Sequence, residues 1–147
     1  MLATQGNSTD DYVMKENTGL NERKIIAFIP VVDTERAKVF YRDTLGLALV
    51  TEELPFALVF DANGIMLRLA IVEKMPGNPG TILGWQVPDI ISAAQDLQSA
   101  GVLFERYEYM QQDELGIWAT PTGAKVAWFK DPDGNVLSIS EHSEVTK

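Results

Sequence analysis

The sequence predicts an α+β domain made of two βαβββ modules, on three observations. The chain repeats itself: at an offset of 56 residues Ile26 matches Ile82, Val31 matches Val87, Asp33 matches Asp89 and Ala37 matches Ala93. A repeat of this length marks a duplicated supersecondary unit. Each copy opens on an apolar run that stops at an Asp and continues with apolar residues at helical spacing, as in a strand leading into an N-capped amphipathic helix. A turn signature also recurs before the last strand of each copy, over Asp61–Gly64 and Asp131–Gly134.

Taken in order, residues 1–22 are polar, with Asp10, Asp11, Glu16 and Glu22 against Lys15, and read as a flexible arm ahead of one domain over 23–147. The first module covers 23–75. Ile25–Val32 is its opening strand, and Asp33 caps a helix with apolar positions at Ala37, Phe40, Tyr41 and Leu45 and a stop at Gly46. Leu47–Thr51, Phe56–Phe60 and Ile65–Val72 follow as strands. The second module covers 80–142 and repeats the plan: strand Thr81–Val87, a helix bearing Ile90, Ala93, Ala94 and Leu97 that stops at Gly101, then strands Val102–Tyr107, Ala124–Phe129 and Val136–Ser140. The two turns are 70 residues apart, so the second copy carries an insertion, placed over 109–123. A long connection of this kind reads as a lid, with Trp118 on it.

Composition narrows the chemistry. Among 147 residues there is no cysteine and a single histidine, His142. Thiol nucleophiles, iron–sulfur clusters, Cys-ligated zinc and disulfides are excluded, and a His-rich metal site cannot be built in one chain. The formal charge of −9 repels phosphate backbones and anionic membranes, so nucleic acid is not an expected partner. The longest apolar runs fall far short of the roughly 18 residues a membrane span needs, and the first ten residues carry no apolar signal-peptide segment. These features lead us to expect a soluble cytoplasmic protein without membrane contact.

The stretch from Val32 to Leu47, VDTERAKVFYRDTLGL, and the stretch from Phe129 to Ile139, FKDPDGNVLSI, stand in the right halves of the repeat to carry a family likeness. Over residues 24–142 the chain resembles the vicinal oxygen chelate superfamily, which includes glyoxalase I, bleomycin-resistance proteins and extradiol dioxygenases. The resemblance implies two modules whose strands curl around a shared cup that holds a small-molecule ligand, and it implies a homodimer. It also implies where metal-dependent members place their ligands. Those positions here are Ile26, Arg68, Ile82 and Ser138, of which two have no donor atom and one is itself a cation. A divalent ion needs at least about three N or O ligands, so neither a metal nor another cofactor is expected. The Asp131–Asn135 segment lacks the glycine and the final acid of a calcium loop and reads as a turn.

Strand alternation puts Ile26, Phe28 and Pro30 on the cup face and Ala27, Ile29 and Val31 on the other; Ile82, Gly84 and Gln86 follow suit. Arg68 is the one charge in the apolar strand Ile65–Val72 and requires an acceptor. Either a ligand carboxylate or phosphate supplies it, or an internal acid such as Glu52, Glu105 or Glu141 does. Ser138, Ser140 and Gln86 offer hydrogen bonds on the cup face. Phe28, Tyr107, Tyr109, Trp118 and Trp128 offer a stacking wall for a planar ligand, with core packing as the alternative. Three functions remain in view: a metal-independent binding protein that sequesters a small organic molecule, a lyase or isomerase working by acid–base chemistry through Glu141, His142 or Tyr109, and a dimeric structural or regulatory module with a vestigial cup.

Overall fold

The computed structural model describes residues 18–143. The arm expected over 1–22 lies largely outside them; within it only a single 3₁₀ turn, Leu20–Glu22, is described. The elements then run β1 (Ile26–Val31), α1 (Thr34–Val39), a π-helical turn (Phe40–Thr44), β2 (Ala48–Glu53), β3 (Ala57–Ala62) and β4 (Ile65–Ile71). The second module holds β5 (Thr81–Gln86), α2 (Ile90–Ser99), β6 (Trp118–Ala119), β7 (Lys125–Lys130) and β8 (Val136–Glu141). The strands form two four-stranded sheets of the same plan, ordered β1-β4-β3-β2 and β5-β8-β7-β6. In each, the first strand pairs with the last in parallel and the other pairings are antiparallel.

The helices begin where the side chains dictate. Asp33 accepts from Arg36 N at 3.1 Å, and Asp89 accepts from Ile91 N and Ser92 N at 3.1 and 3.2 Å. The π turn widens the end of α1, with Leu45 N donating to Phe40 O at 2.9 Å, and Gly46 at φ 80° then ends the helical run. Buried Ala37, Tyr41, Ile90 and Ala94 are all at predicted apolar positions, and they join Ile29, Val31, Leu67, Leu69, Leu137 and Ile139 in one core shared by both modules. Burying these side chains contributes roughly 1.5–3 kcal/mol each for the larger aliphatics.

The modules meet on this helix-covered side. Tyr41 OH donates to Asp131 Oδ2 at 2.8 Å, Asn135 Nδ2 donates to Pro30 O at 2.8 Å, and Asp33 N donates to Asp133 Oδ1 at 3.4 Å. Asp131 also accepts from Asp133 N, Asn135 N and Asn135 Nδ2. The Asp131–Asn135 turn is therefore the hook by which the second module holds the first.

Two sequence expectations are corrected. Val102–Tyr107 is not a strand; Phe104 makes one isolated bridge to Phe129, and the edge of the second sheet is the two-residue β6. Side chains have taken the backbone partners there, as Gln112 accepts from Tyr107 N and donates to Glu105 O and Gly116 O. Nor is Trp118 on a free lid. It sits in β6 opposite Val126, and the connection before it is fastened by Gln112, by Asp113 accepting from Leu115 N and Ile117 N, and by Arg106 donating to Asp113 O and Glu114 O.

Candidate functional site

The face of each sheet turned away from the shared core is the candidate site. On the first sheet Phe28 and Arg68 are register partners, and Val59 stands opposite Arg68 on the next strand. Leu67 and Leu69 point the other way into the core, so Arg68 lies on the outer face as alternation requires. Phe28 is 63% exposed, with Ile26 and Met66 beside it.

The acceptor for Arg68 is Glu53. Arg68 Nη2 donates to Glu53 Oε1 at 2.6 Å, and Nη1 lies 3.9 Å from Met66 Sδ. Arg68 is on β4 and Glu53 on β2, so the pair reaches across β3, above Ala57 and Val59. These two are only 2% and 4% exposed although they face outward. None of the three acids named from the sequence fills this place. Glu52 pairs with Lys38 at 3.1 Å, Glu105 with Lys130 at 3.8 Å, and Glu141 accepts from Ile90 N at the start of α2. The cause is a β-bulge between Leu49 and Thr51 that flips the alternation, sending Glu52 to the helix side and Glu53 to the outer face.

On the second sheet the rungs read Gly84, Ser138, Trp128 and then Gln86, Ser140, Val126, Trp118. Gly84 has a physical reason: a Cβ there would lie 2.5 Å from Ser138 Oγ, so the glycine leaves the hydroxyl its space. A second bulge, between Thr81 and Leu83, corrects another expectation. Ile82 falls in it and packs against the core cluster, while Thr81 comes to the outer face and accepts from Trp128 Nε1 at 3.1 Å. The indole thus crosses β8, much as Arg68 crosses β3.

Around Trp128 the aromatic residues form one array. Trp118 lies 6.1 Å away at 31°, Tyr107 5.6 Å away at 82°, and Tyr109 follows Tyr107 at 5.7 Å. Burial, the nearby Glu105 carboxylate and Tyr109 push the Tyr107 phenol up. Tyr109, at its end, is 80% exposed. The structure therefore gathers Ser138, Gln86, Trp118 and Tyr109 around the second sheet and Phe28 with Arg68 on the first. Gln86 also lines a cavity of about 350 Å³ with Leu45, Leu47, Trp85 and Leu97 at the module junction. Glu53 and Thr81 were not legible in advance, because both owe their position to bulges.

The family's metal positions do not fit a metal here. Arg68 is occupied by Glu53, Ile82 is packed on the core, Ile26 has no donor, and Ser138 offers one hydroxyl. Among the described residues no group of three or more His, Cys, Asp or Glu could hold a metal ion. Nor, among them, is any helix long and apolar enough to cross a membrane. His142 is exposed, with Nε2 3.0 Å from Ser140 Oγ.

Known proteins share this architecture. The structure of a superfamily member from Sphaerobacter thermophilus is 26% identical with a TM-score of 0.63, over 82% of this chain and 97% of that one. TnmS3, an antibiotic binding protein from Streptomyces sp. CB03234, is 27% identical with a TM-score of 0.58, over 82% and 96%. The uncharacterized protein YraH of Bacillus subtilis is 28% identical over 124 residues, covering 74% of this chain and 90% of that protein. Residues 25–139 match the sequence profile of the Glyoxalase/Bleomycin resistance protein/Dioxygenase superfamily, and with the duplicated βαβββ sheets this match means that the chain belongs to that superfamily.

Proposed function

We propose that this chain binds and sequesters a small organic molecule with a planar aromatic part, without a metal. The observation that carries the reading is the array of Trp118, Trp128, Tyr107 and Tyr109 on the sheet face turned away from the shared core. Aromatic faces attract flat ligands by stacking as well as by area, and Ser138 and Gln86 stand on the same face to orient one. The similar TnmS3 is described as an antibiotic binding protein, which supports this class of ligand.

A second copy of the chain completes the cup on this reading. Phe28, Ile26 and Met66 form an apolar patch on the outer face of the first sheet, the kind of surface that marks an interaction site. The protein works in the cytoplasm, where a chain without cysteine needs no oxidising compartment.

A thermal-shift screen of planar aromatic compounds, with tryptophan fluorescence as the second readout, tests the reading. A hit should raise the melting temperature of the native chain and lose affinity in Trp118→Ala. A hit whose affinity is indifferent to both Trp118 and Tyr109 would overturn it. The second reading, lyase or isomerase chemistry, draws on the Ser140–His142 contact. Conversion of a bound compound that stops in His142→Gln would favour it.

A further inference from the structure

We infer that Glu53 sets the charge selectivity of the cup: by holding Arg68 it turns anionic ligands away and leaves the cup to uncharged ones. The inference rests on the proposed function, in which a second copy of the chain completes the cup and brings this first-sheet face to the ligand held by the aromatic array of the second sheet.

An arginine on an apolar surface is a ready partner for carboxylates and phosphates, since its fork of donors matches their oxygens. Arg68 would be such a partner if it were free. It is instead held at 2.6 Å by a carboxylate of the same sheet and steadied by Met66 at the other guanidinium nitrogen. The side chains of Arg68 and Glu53 keep 25% and 47% of their surface exposed, so the pair is within reach of a ligand. An incoming anion must either displace Glu53 or lie beside it, and like charges in contact are unfavourable. Asp61, the register partner of Met66, adds a further negative charge to the strand that the pair crosses.

The second sheet holds a looser counterpart, with its acid beside the sheet rather than on it. Lys130, on the same side of β7 as Trp128, has Glu105 3.8 Å away. The cationic groups placed on the two outer faces thus each bring their own acid. Val59 and Ala57 give the bridge a low floor, so removing the acid need not disturb the strands beneath.

The test is a tryptophan-fluorescence titration of the full chain at neutral pH with two probes of one shape, naphthalene carboxamide and naphthalene carboxylate. The native chain should prefer the carboxamide by about tenfold, the size expected for a charged contact at a partly exposed site. Glu53→Gln keeps the side-chain shape on an edge strand. It should raise carboxylate affinity by about tenfold and leave carboxamide affinity within about twofold, the latter also reporting that the variant is folded. Adding Arg68→Gln should cancel the gain. Equal carboxylate affinity in native chain and Glu53→Gln, with carboxamide still bound, would overturn the inference and leave the binding reading standing. If neither probe binds any form, the binding reading falls and this inference with it.

Discussion

Replacing Tyr41 by Phe removes one hydroxyl from the junction of the modules, and its effect can be worked out from the surroundings. Tyr41 is fully buried and its hydroxyl donates to Asp131 Oδ2 at 2.8 Å; Asp131 itself is only 4% exposed. A hydrogen bond to a buried carboxylate contributes about 1.5–3 kcal/mol, and phenylalanine fills nearly the same space. We expect a loss of about 2 kcal/mol at pH 7, or roughly 8 °C in melting temperature for a domain of this size. A second signature comes from pH. Burial first, then the charge and hydrogen bond of Asp131, push the Tyr41 phenol above its ordinary 10.0. Above pH 10 the folded state keeps a proton that the unfolded state gives up, so stability falls as pH rises, by about 1.4 kcal/mol per pH unit. Phenylalanine has no such proton. The stability gap should therefore be full below pH 10 and shrink steadily above it. Urea unfolding followed by tryptophan fluorescence between pH 7 and 11 measures both. A gap under about 0.5 kcal/mol at pH 7, or one that stays constant to pH 11, would refute the reasoning.

Other outcomes follow from the same geometry. Asn135→Ala removes the donors to Pro30 O and Asp131 Oδ2 and should destabilise by about 2–3 kcal/mol in the same urea assay. Gln112→Ala frees Tyr107 N, Glu105 O and Gly116 O; amide exchange at Tyr107 should quicken well before global unfolding, and on the proposed function affinity for planar aromatic compounds should drop as Tyr107, which Tyr109 packs on, loosens. Phe28→Asp changes a largely exposed residue, so monomer stability should move by less than about 1 kcal/mol. If the proposed second copy docks on this patch, light scattering should meanwhile show the assembly shifting to monomer.

The fold was legible because duplication wrote it twice. Asp33 and Asp89, Tyr41 and Ile90, and the two turn signatures announce capped helices and closing strands, and each is found in that role. The site was less legible, for a definite reason. Alternation predicts faces only while the register holds, and each sheet contains a bulge. One bulge exchanged Glu52 with Glu53, which is why the partner of Arg68 was missed by a single residue. The other moved Ile82 inward and Thr81 outward. The lost strand at 102–107 has a different cause: Gln112 competes for backbone groups from five residues away, which strand propensity does not register.

The hook formed by Asp131 and Asn135 bears on how the protein comes apart. Its partners, Tyr41 and the carbonyl of Pro30, belong to the other repeat, as does Phe40, whose ring packs tilted against Phe129 at 6.5 Å. Melting either repeat alone would strand a buried carboxylate and open aromatic surface to water. The duplicated halves should thus unfold in one calorimetric transition, with calorimetric and van't Hoff enthalpies equal, and neither half should fold when expressed by itself. Duplication supplied two modules, and this exchange of contacts has left them a single cooperative unit.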